Sequence, residues 1–182
     1  MRMLHQGAIF LDRDHTLTFD KGYTHLVSDF KWMPGAARAL SLFHKHGLKI
    51  FIVTNQGGIA KGLFSEKQMH LFHDHLIAEA RRAGGDITDI AHCPHHPDSI
   101  TTALKTPCDC RKPAPGLLLK LAEKWQIDLS QSVMIGDRQS DIEAGHASGC
   151  ISYLHPATGE KGPLDRLAEQ VINTHFKMAP AF

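Results

Sequence analysis

The 182-residue sequence predicts an α/β fold, a doubly wound, Rossmann-like parallel sheet. Two observations carry that prediction. Apolar runs of strand length at 8–11, 48–53, 88–93, 132–136 and 150–154 alternate with longer stretches of helical periodicity, the sequence pattern of repeated βαβ units. Three of those runs then end in polar residues: Leu11 precedes Asp12, Val53 precedes Thr54-Asn55, and Gly136 precedes Asp137. In an open parallel sheet every strand's carboxyl end faces the same crevice, so these groups become neighbours there.

Taken in chain order, the first run delivers Asp12 and Asp14. Alternation along a strand sends residues i and i+2 to one side, so the two carboxylates converge at the strand's edge. Carboxylates so placed repel unless a cation or divided roles of nucleophile and acid separate them. An Asx-type turn is the plainer alternative and explains one Asp better than two. Pro34-Gly35 opens a helix that runs to about His46 and stops at Gly47. About forty residues separate Asp12 from Thr54, enough for one loop and one helix and too few for an inserted cap domain. Ser65 with Gln68 forms a capping box, and Met69, Phe72, Leu76 and Ala80 recur at core spacing behind it. Lys112 follows Cys110-Arg111 at the same expected edge, Pro113 and Pro115 suit the start of the next helix, and Leu117, Leu118, Leu121 and Trp125 form that helix's core face. Cys150 reads as an inert buried thiol, and the tail after about Thr174 as frayed. Specificity falls to loops 17–33, 56–64 and 93–111.

Composition fits one domain spanning residues 1–182. With 20 basic and 19 acidic residues the chain has no field for nucleic acid or a membrane surface. No apolar stretch approaches the roughly 20 residues of a membrane span. A cytoplasmic monomer binding a small anionic ligand through local groups is the expectation. Histidines His70, His73 and His75 lack metalloprotease spacing and read as a solvated helix face, while His44 and His46 suit the last turn of a helix.

Loop 93–111 carries the second strong signal. Cys93-Pro94-His95 and Cys108-Asp109-Cys110 supply three thiols and an imidazole in two tight pairs, a donor set for a closed tetrahedral Zn²⁺ site. A disulfide is the alternative, although three of the four cysteines fall within eighteen residues. His96 competes with His95 as the fourth ligand.

The succession Asp-x-Asp-x-Thr, Thr-Asn, Lys, Gly-Asp-x-x-x-Asp from Asp12 to Asp141 resembles the haloacid dehalogenase superfamily of phosphotransferases. Cys-x-His followed by Cys-x-Cys-Arg-Lys-Pro is similar to its branch of heptose bisphosphate phosphatases and histidinol-phosphate phosphatases. Asp20-Lys21-Gly22-Tyr23 and Asn55-Gln56-Gly57-Gly58 look like the substrate loops of the heptose enzymes, which implies hydrolysis of the C7 phosphate of a heptose 1,7-bisphosphate in nucleotide-activated heptose biosynthesis for surface glycans. His15 departs from the family's usual glycine; histidine enters positive φ more readily than most residues, so the loop remains formable.

Residue types assemble the expected chemistry. Asp12 is the nucleophile and Asp14 the general acid and then base. Mg²⁺ is expected on Asp12, Asp137 and, by resemblance, the Asp14 backbone carbonyl; Thr54 and Lys112 with backbone N–H groups bind the other phosphoryl oxygens. Asp141 orients a metal-bound water or a neighbouring ligand. The resemblance adds Asp20, Gly22, Tyr23, Asn55, Gln56 and Gly57 as substrate contacts, and Arg111 and Arg138 suit a distal phosphate, with a solvated surface role as the alternative for each. A receiver domain would need its phosphorylated Asp where Cys93 stands, and a dinucleotide-binding module would need a glycine-rich turn where Asp12-Arg13-Asp14-His15 stands.

Overall fold

The computed structural model describes residues 7–157 and 162–176. Its sheet holds β1 (Ala8–Leu11), β2 (Lys49–Asn55), β3 (Asp89–Cys93), β4 (Val133–Gly136) and β5 (Ile151–Leu154), all parallel in the order β3-β2-β1-β4-β5. Each matches an apolar run of the sequence to within two residues. Strand order reverses beside β1, which makes the carboxyl end of β1 the switch point where such sheets bind ligands.

Strand alternation divides the core in two. Ile9, Leu11, Ile50, Ile52, Val133 and Ile135 face α1 (Ala36–Lys45), α2 (Glu66–Arg82) and α6 (Leu164–His175). Phe10, Phe51, Val53 and Met134 face α4 (Gly116–Trp125) and α5 (Gln139–Ser148). Strands covered on both faces lose the polar alternation of a one-sided sheet, which is why the runs are continuously apolar. Between β1 and β2 lie only α1 and a short 3-10 turn, Val27–Asp29, so no cap domain is inserted there. Loop 93–111 contains a single-turn helix, α3 (Thr102–Lys105).

Local signals act as the sequence suggests at several ends. Gly35 takes φ 76° at the N-cap of α1. Ser65 caps α2, its hydroxyl accepting the Gln68 N–H at 3.3 Å while Gln68 Oε1 accepts the Ser65 N–H at 2.9 Å. Cys150 is buried beside Ser148 Oγ at 3.5 Å, and burial pushes its thiol up to about 11, as befits an inert core thiol. Helix α6 extends through His175, and residues 177–182 of the tail expected to fray lie outside the described residues.

Two expectations need correction. His73 is not on a solvated face: only 4% exposed, it sits against the guanidinium of Arg13, whose Nη1 is 3.1 Å from its Nε2. Nor does strand alternation bring Asp12 and Asp14 together, because β1 ends at Leu11. The chain folds back instead, the Arg13 carbonyl accepting both the Leu17 and Thr18 N–H groups at 2.9 Å.

Removing the Ser65 hydroxyl strips one reciprocal bond from the start of a 17-residue helix. Ser65→Ala should therefore cost about 1 kcal/mol, a fall in Tm of roughly 2–4 °C by thermal melt, with activity unchanged.

Candidate active site

The site begins where β1 and β4 run out together. Leu11 is level with Ile52 and Ile135, and the Asp12 N–H donates to the Ile135 carbonyl at 3.0 Å, anchoring Asp12 at the edge. Lys112, 4% exposed, places Nζ 2.5 Å from Asp12 Oδ1, 2.6 Å from Asp141 Oδ1 and 2.7 Å from the Val53 carbonyl, which commits all three ammonium hydrogens. Asn55 fixes that lysine's backbone: its side chain donates to the Lys112 carbonyl and accepts the Lys112 N–H, both at 3.0 Å. Asp141 reaches the cluster from the first turn of α5, where its Oδ2 also accepts the Arg138 N–H at 3.0 Å. A side chain at Gly136 would meet the Asp141 carboxylate at 2.3–2.4 Å, so the glycine before Asp137 is required by this close approach.

Three carboxylates, Asp12, Asp137 and Asp141, thus gather at one edge, two of them, Asp12 and Asp141, on the buried ammonium. Burial pushes Asp12 up to about 7 although Lys112 pulls it down, and Asp141 and Asp14 raise it further. Burial followed by the charge of Asp141 also raises Asp137. Asp137 Oδ1 is buried with no hydrogen-bond partner among the described residues. An unpaired buried carboxylate oxygen in an excess of negative charge fits a hard divalent cation, and Mg²⁺ prefers such oxygen donors.

Asp14 is held from two sides. Arg13, fully buried, bonds it with Nε and Nη2 at 2.8 and 3.1 Å, and Gln56 Nε2 donates to its Oδ2 at 2.9 Å. The same amide lies 2.8 Å from Thr54 Oγ1, so Thr54, itself fully buried, orients the amide beneath the cleft. His15 adopts φ 60°, the left-handed backbone that glycine would take there, and its N–H donates to the Thr18 carbonyl at 2.8 Å.

Above these groups opens a cleft of about 560 Å³. Asp12, Asp14, Asn55, Gln56, Gly57, Lys112 and Asp141 line its inner part; Asp20, Gly22, Tyr23, Arg111 and Arg138 line its sides and rim. Asp20 Oδ1 accepts the Gly22 and Thr24 N–H groups at 3.1 and 2.8 Å, and although burial would raise its carboxyl, those donors hold it below the ordinary range. Arg111 donates from Nη1 to the His95 carbonyl at 2.9 Å, tying the rim to the cysteine loop.

Cys93, His95, Cys108 and Cys110 form one cluster in that loop. Cys93 Sγ is 3.7 Å from Cys108 Sγ and 3.1 Å from Cys110 Sγ, and His95 Nδ1 is 3.6 and 3.3 Å from the sulfurs of Cys93 and Cys110. These are close to the edges of a tetrahedron around Zn²⁺ with ligand bonds of about 2.0–2.3 Å, and far from a disulfide's roughly 2.05 Å. Burial and the adjacent Cys110 thiol push Cys93 up, the strain that a cation among these sulfurs relieves. His95, rather than His96, takes the fourth corner.

Comparison with known proteins agrees with this geometry. The HAD-hydrolase-like family profile matches residues 109–176. A D-glycero-beta-D-manno-heptose-1,7-bisphosphate 7-phosphatase of Rhodopseudomonas palustris is 39% identical over 91% of this chain and 89% of its own. An alpha-anomer counterpart from Photorhabdus laumondii is 41% identical over 82% of each. The chain belongs to the heptose-1,7-bisphosphate 7-phosphatase family. Among solved structures, the D,D-heptose 1,7-bisphosphate phosphatase from B. bronchiseptica, complexed with magnesium and phosphate, superposes with a TM-score of 0.81 at 27% identity, covering 92% of this chain and 99% of that one.

Within this family frame, three site residues escape a reading of the sequence. Arg13 lies between the two aspartates, yet a fully buried arginine runs against the residue's usual exposure. His96 and Ser140 line the cleft. His96 stands so close to Gly57 that a side chain there would meet its ring at 2.7 Å.

The raised Asp12 carboxyl makes a pH prediction. Its folded value, about 7, exceeds the unfolded 3.8, so its contribution to stability is complete below about pH 3.8 and is lost as pH rises through 7. With divalent cations chelated, Asp12→Asn should melt at least about 3 °C above the unsubstituted protein at pH 8, and the gap should narrow steadily as pH falls from 7 toward 3.8. Equal melting of the two at pH 8 would contradict the burial of that charge.

Proposed function

We propose that this chain is a Mg²⁺-dependent phosphatase that removes the C7 phosphate of D-glycero-D-manno-heptose 1,7-bisphosphate through an aspartyl-phosphate on Asp12. The observation that carries the reading is the floor of the cleft: a buried carboxylate on a strand end, ion-paired to Lys112, beside an independently held second carboxylate, Asp14. The names of the relatives on both anomers, and the magnesium and phosphate of the B. bronchiseptica structure, support it.

An oxygen of Asp12 attacks phosphorus, and the bond from phosphorus to the C7 oxygen breaks. Asp14 gives its proton to that departing oxygen, then takes one from the water that attacks the aspartyl-phosphate, releasing phosphate and restoring both carboxyls. Lys112 exchanges its bond to Asp12 for one to a phosphoryl oxygen as the carboxylate charge is spent on the new bond. Asp12, Asp137 and the Asp14 carbonyl, with Asp141 close by, would hold Mg²⁺, which would supply positive charge against the transferring phosphoryl group. Thr54 and Gln56 keep Asp14 in reach. Arg111 and Arg138, with Asp20, Gly22, Tyr23, Asn55 and Gly57 around the cleft, hold the sugar and its second phosphate. Cys93, His95, Cys108 and Cys110 would hold a structural Zn²⁺ that fastens loop 93–111. No helix among the described residues is long and apolar enough to cross a membrane, and a cytoplasmic monomer acting on a diffusible sugar phosphate completes the proposal.

Asp12→Asn should abolish turnover, and Asp14→Asn should lower kcat by at least about 10²-fold. Chelation should stop the reaction, with Mg²⁺ restoring it. Both anomers of the bisphosphate should exceed a heptose monophosphate and histidinol phosphate in kcat/KM by roughly 10- to 100-fold, the value of one lost charge-assisted contact. If histidinol phosphate is the better substrate, the assignment moves to the sister branch.

Elemental analysis should find about one zinc per chain, absent from Cys108→Ser. Loss of zinc should raise KM and lower Tm together, because Arg111 and Lys112 directly follow the last ligand. Metal-free protein from chelator-free purification would remove the zinc assignment.

A further inference from the structure

We propose that Arg13 and His73 form a buried brace that positions Asp14 for its two proton transfers. The inference rests on Asp14 being the general acid and base, and it assigns a role to two residues that the chemistry above leaves unused.

Arg13 is the largest fully buried side chain of the core, and each edge of its guanidinium is occupied. Nε and Nη2 grip the two oxygens of Asp14 at 2.8 and 3.1 Å. Nη2 also donates to the Thr24 carbonyl at 3.0 Å, and Nη1 lies 3.1 Å from His73 Nε2. The face of the guanidinium lies 4.9 Å from the ring centre of Phe72, the neighbour of His73 on α2. A forked contact fixes the plane as well as the position of a carboxylate, which a single-point ammonium does not.

His73 completes the brace as an acceptor. Beside a guanidinium its Nε2 must carry a lone pair, which places the proton on Nδ1. Burial, then the charge of Arg13, pushes the imidazole down to about 2, so it stays neutral and accepting at neutral pH. Without that acceptor, Nη1 would be a buried unpaired donor, and the guanidinium would turn toward another partner at the expense of Asp14. Thr24 lies in the same short loop as Asp20, Gly22 and Tyr23, so one guanidinium sets the general acid and a wall of the cleft in common register.

Leaving-group dependence separates positioning of the acid from a merely structural role. An alkyl phosphate ester needs its leaving oxygen protonated, whereas p-nitrophenolate departs without help, so only the first should feel a misplaced Asp14. Asp14→Asn, Arg13→Lys, His73→Leu and His73→Gln are compared in the Mg²⁺-loaded protein on a bisphosphorylated heptose, a simple alkyl phosphate and p-nitrophenyl phosphate. Zinc content and melting temperature are measured alongside.

Arg13→Lys should lower kcat on both alkyl esters roughly 10- to 100-fold with KM changed less than about twofold, while the first-turnover release of p-nitrophenolate stays within about threefold. His73→Leu should reproduce that split more weakly, and His73→Gln, which keeps an acceptor, should restore most of the rate. If Arg13→Lys does not fold, the two His73 variants decide. Equal losses on alkyl and aryl esters in a folded Arg13→Lys would overturn the brace, as would a leaving-group split in Asp14→Asn that neither Arg13→Lys nor His73→Leu shares. Absence of the split in Asp14→Asn itself would remove the acid assignment and the brace with it. Loss of the heptose reaction alone, with the split intact on the simple esters, would overturn the substrate and leave the brace standing.

Discussion

A single buried ammonium sets the terms for the rest of this structure. Lys112 Nζ touches Asp12, Asp141 and the Val53 carbonyl, three groups from three separate parts of the sheet edge. Moving the ammonium away would leave Asp12 and Asp141 as uncompensated buried carboxylates, commonly costing about 3–5 kcal/mol, so the lysine cannot be allowed to wander. Even so it answers only part of the negative charge around it. Three carboxylates set against one ammonium leave negative charge unanswered, an arrangement that suits a divalent cation. The electrostatic strain of this pocket and its suitability for a cation thus share one cause.

Holding Lys112 in place is a task shared by two devices that sit side by side. Asn55 clamps its backbone with two bonds, and Asn55 is paired in register with Cys93, the first residue of the thiol–imidazole cluster. The Gln56 N–H donates to the Cys93 carbonyl at 2.7 Å, so the residue that holds Asp14 is anchored on the same strand end. Loop 93–111 buries few apolar side chains and has no substantial core of its own. Four side chains of metal-donor type, three thiols and an imidazole, converge near its two ends, and the last of them, Cys110, lies two residues from Lys112. Structure at the cysteines therefore reaches chemistry at Asp12 through one strand end and one asparagine.

The parts legible in the sequence are those whose cause is local. Continuous apolar runs announce a sheet covered on both faces, Ser65 and Gln68 announce a cap, and two Cys pairs announce a metal donor set before any fold is assumed. The convergence of Asp12 and Asp14 was also legible, though for the wrong reason, since a folded-back loop and the Arg13 fork achieve what strand alternation was expected to do. What remained hidden depends on distant partners. His73 lies 60 positions from Arg13, and periodicity along α2 gives no means of knowing that a buried guanidinium waits for it. Asp141 looked peripheral because nothing in Gly-Asp-x-x-x-Asp reveals that Gly136 lets the helix start press against the strand end.

The same division explains where specificity resides. The floor of the cleft is determined by strand ends, a buried ion cluster and a brace, each of which tolerates little change without loss of folding or catalysis. Its rim is built by loops joined through weaker contacts: Lys61 Nζ lies 5.4 Å above the Tyr23 ring and 3.6 Å from Asp98, and His25 stacks on Phe64 at 4.6 Å. Surface pairs such as those of Lys61 are each worth at most about 1 kcal/mol, so that part of the rim can be reshaped at small cost to the whole. Relatives named for opposite anomers of the bisphosphate are 39% and 41% identical to this chain, so identity across the chain does not separate the two activities. The difference between anomers lies at C1, on the far side of the sugar from the cleaved ester, and a substrate whose C7 phosphate sits on the floor presents C1 to the rim.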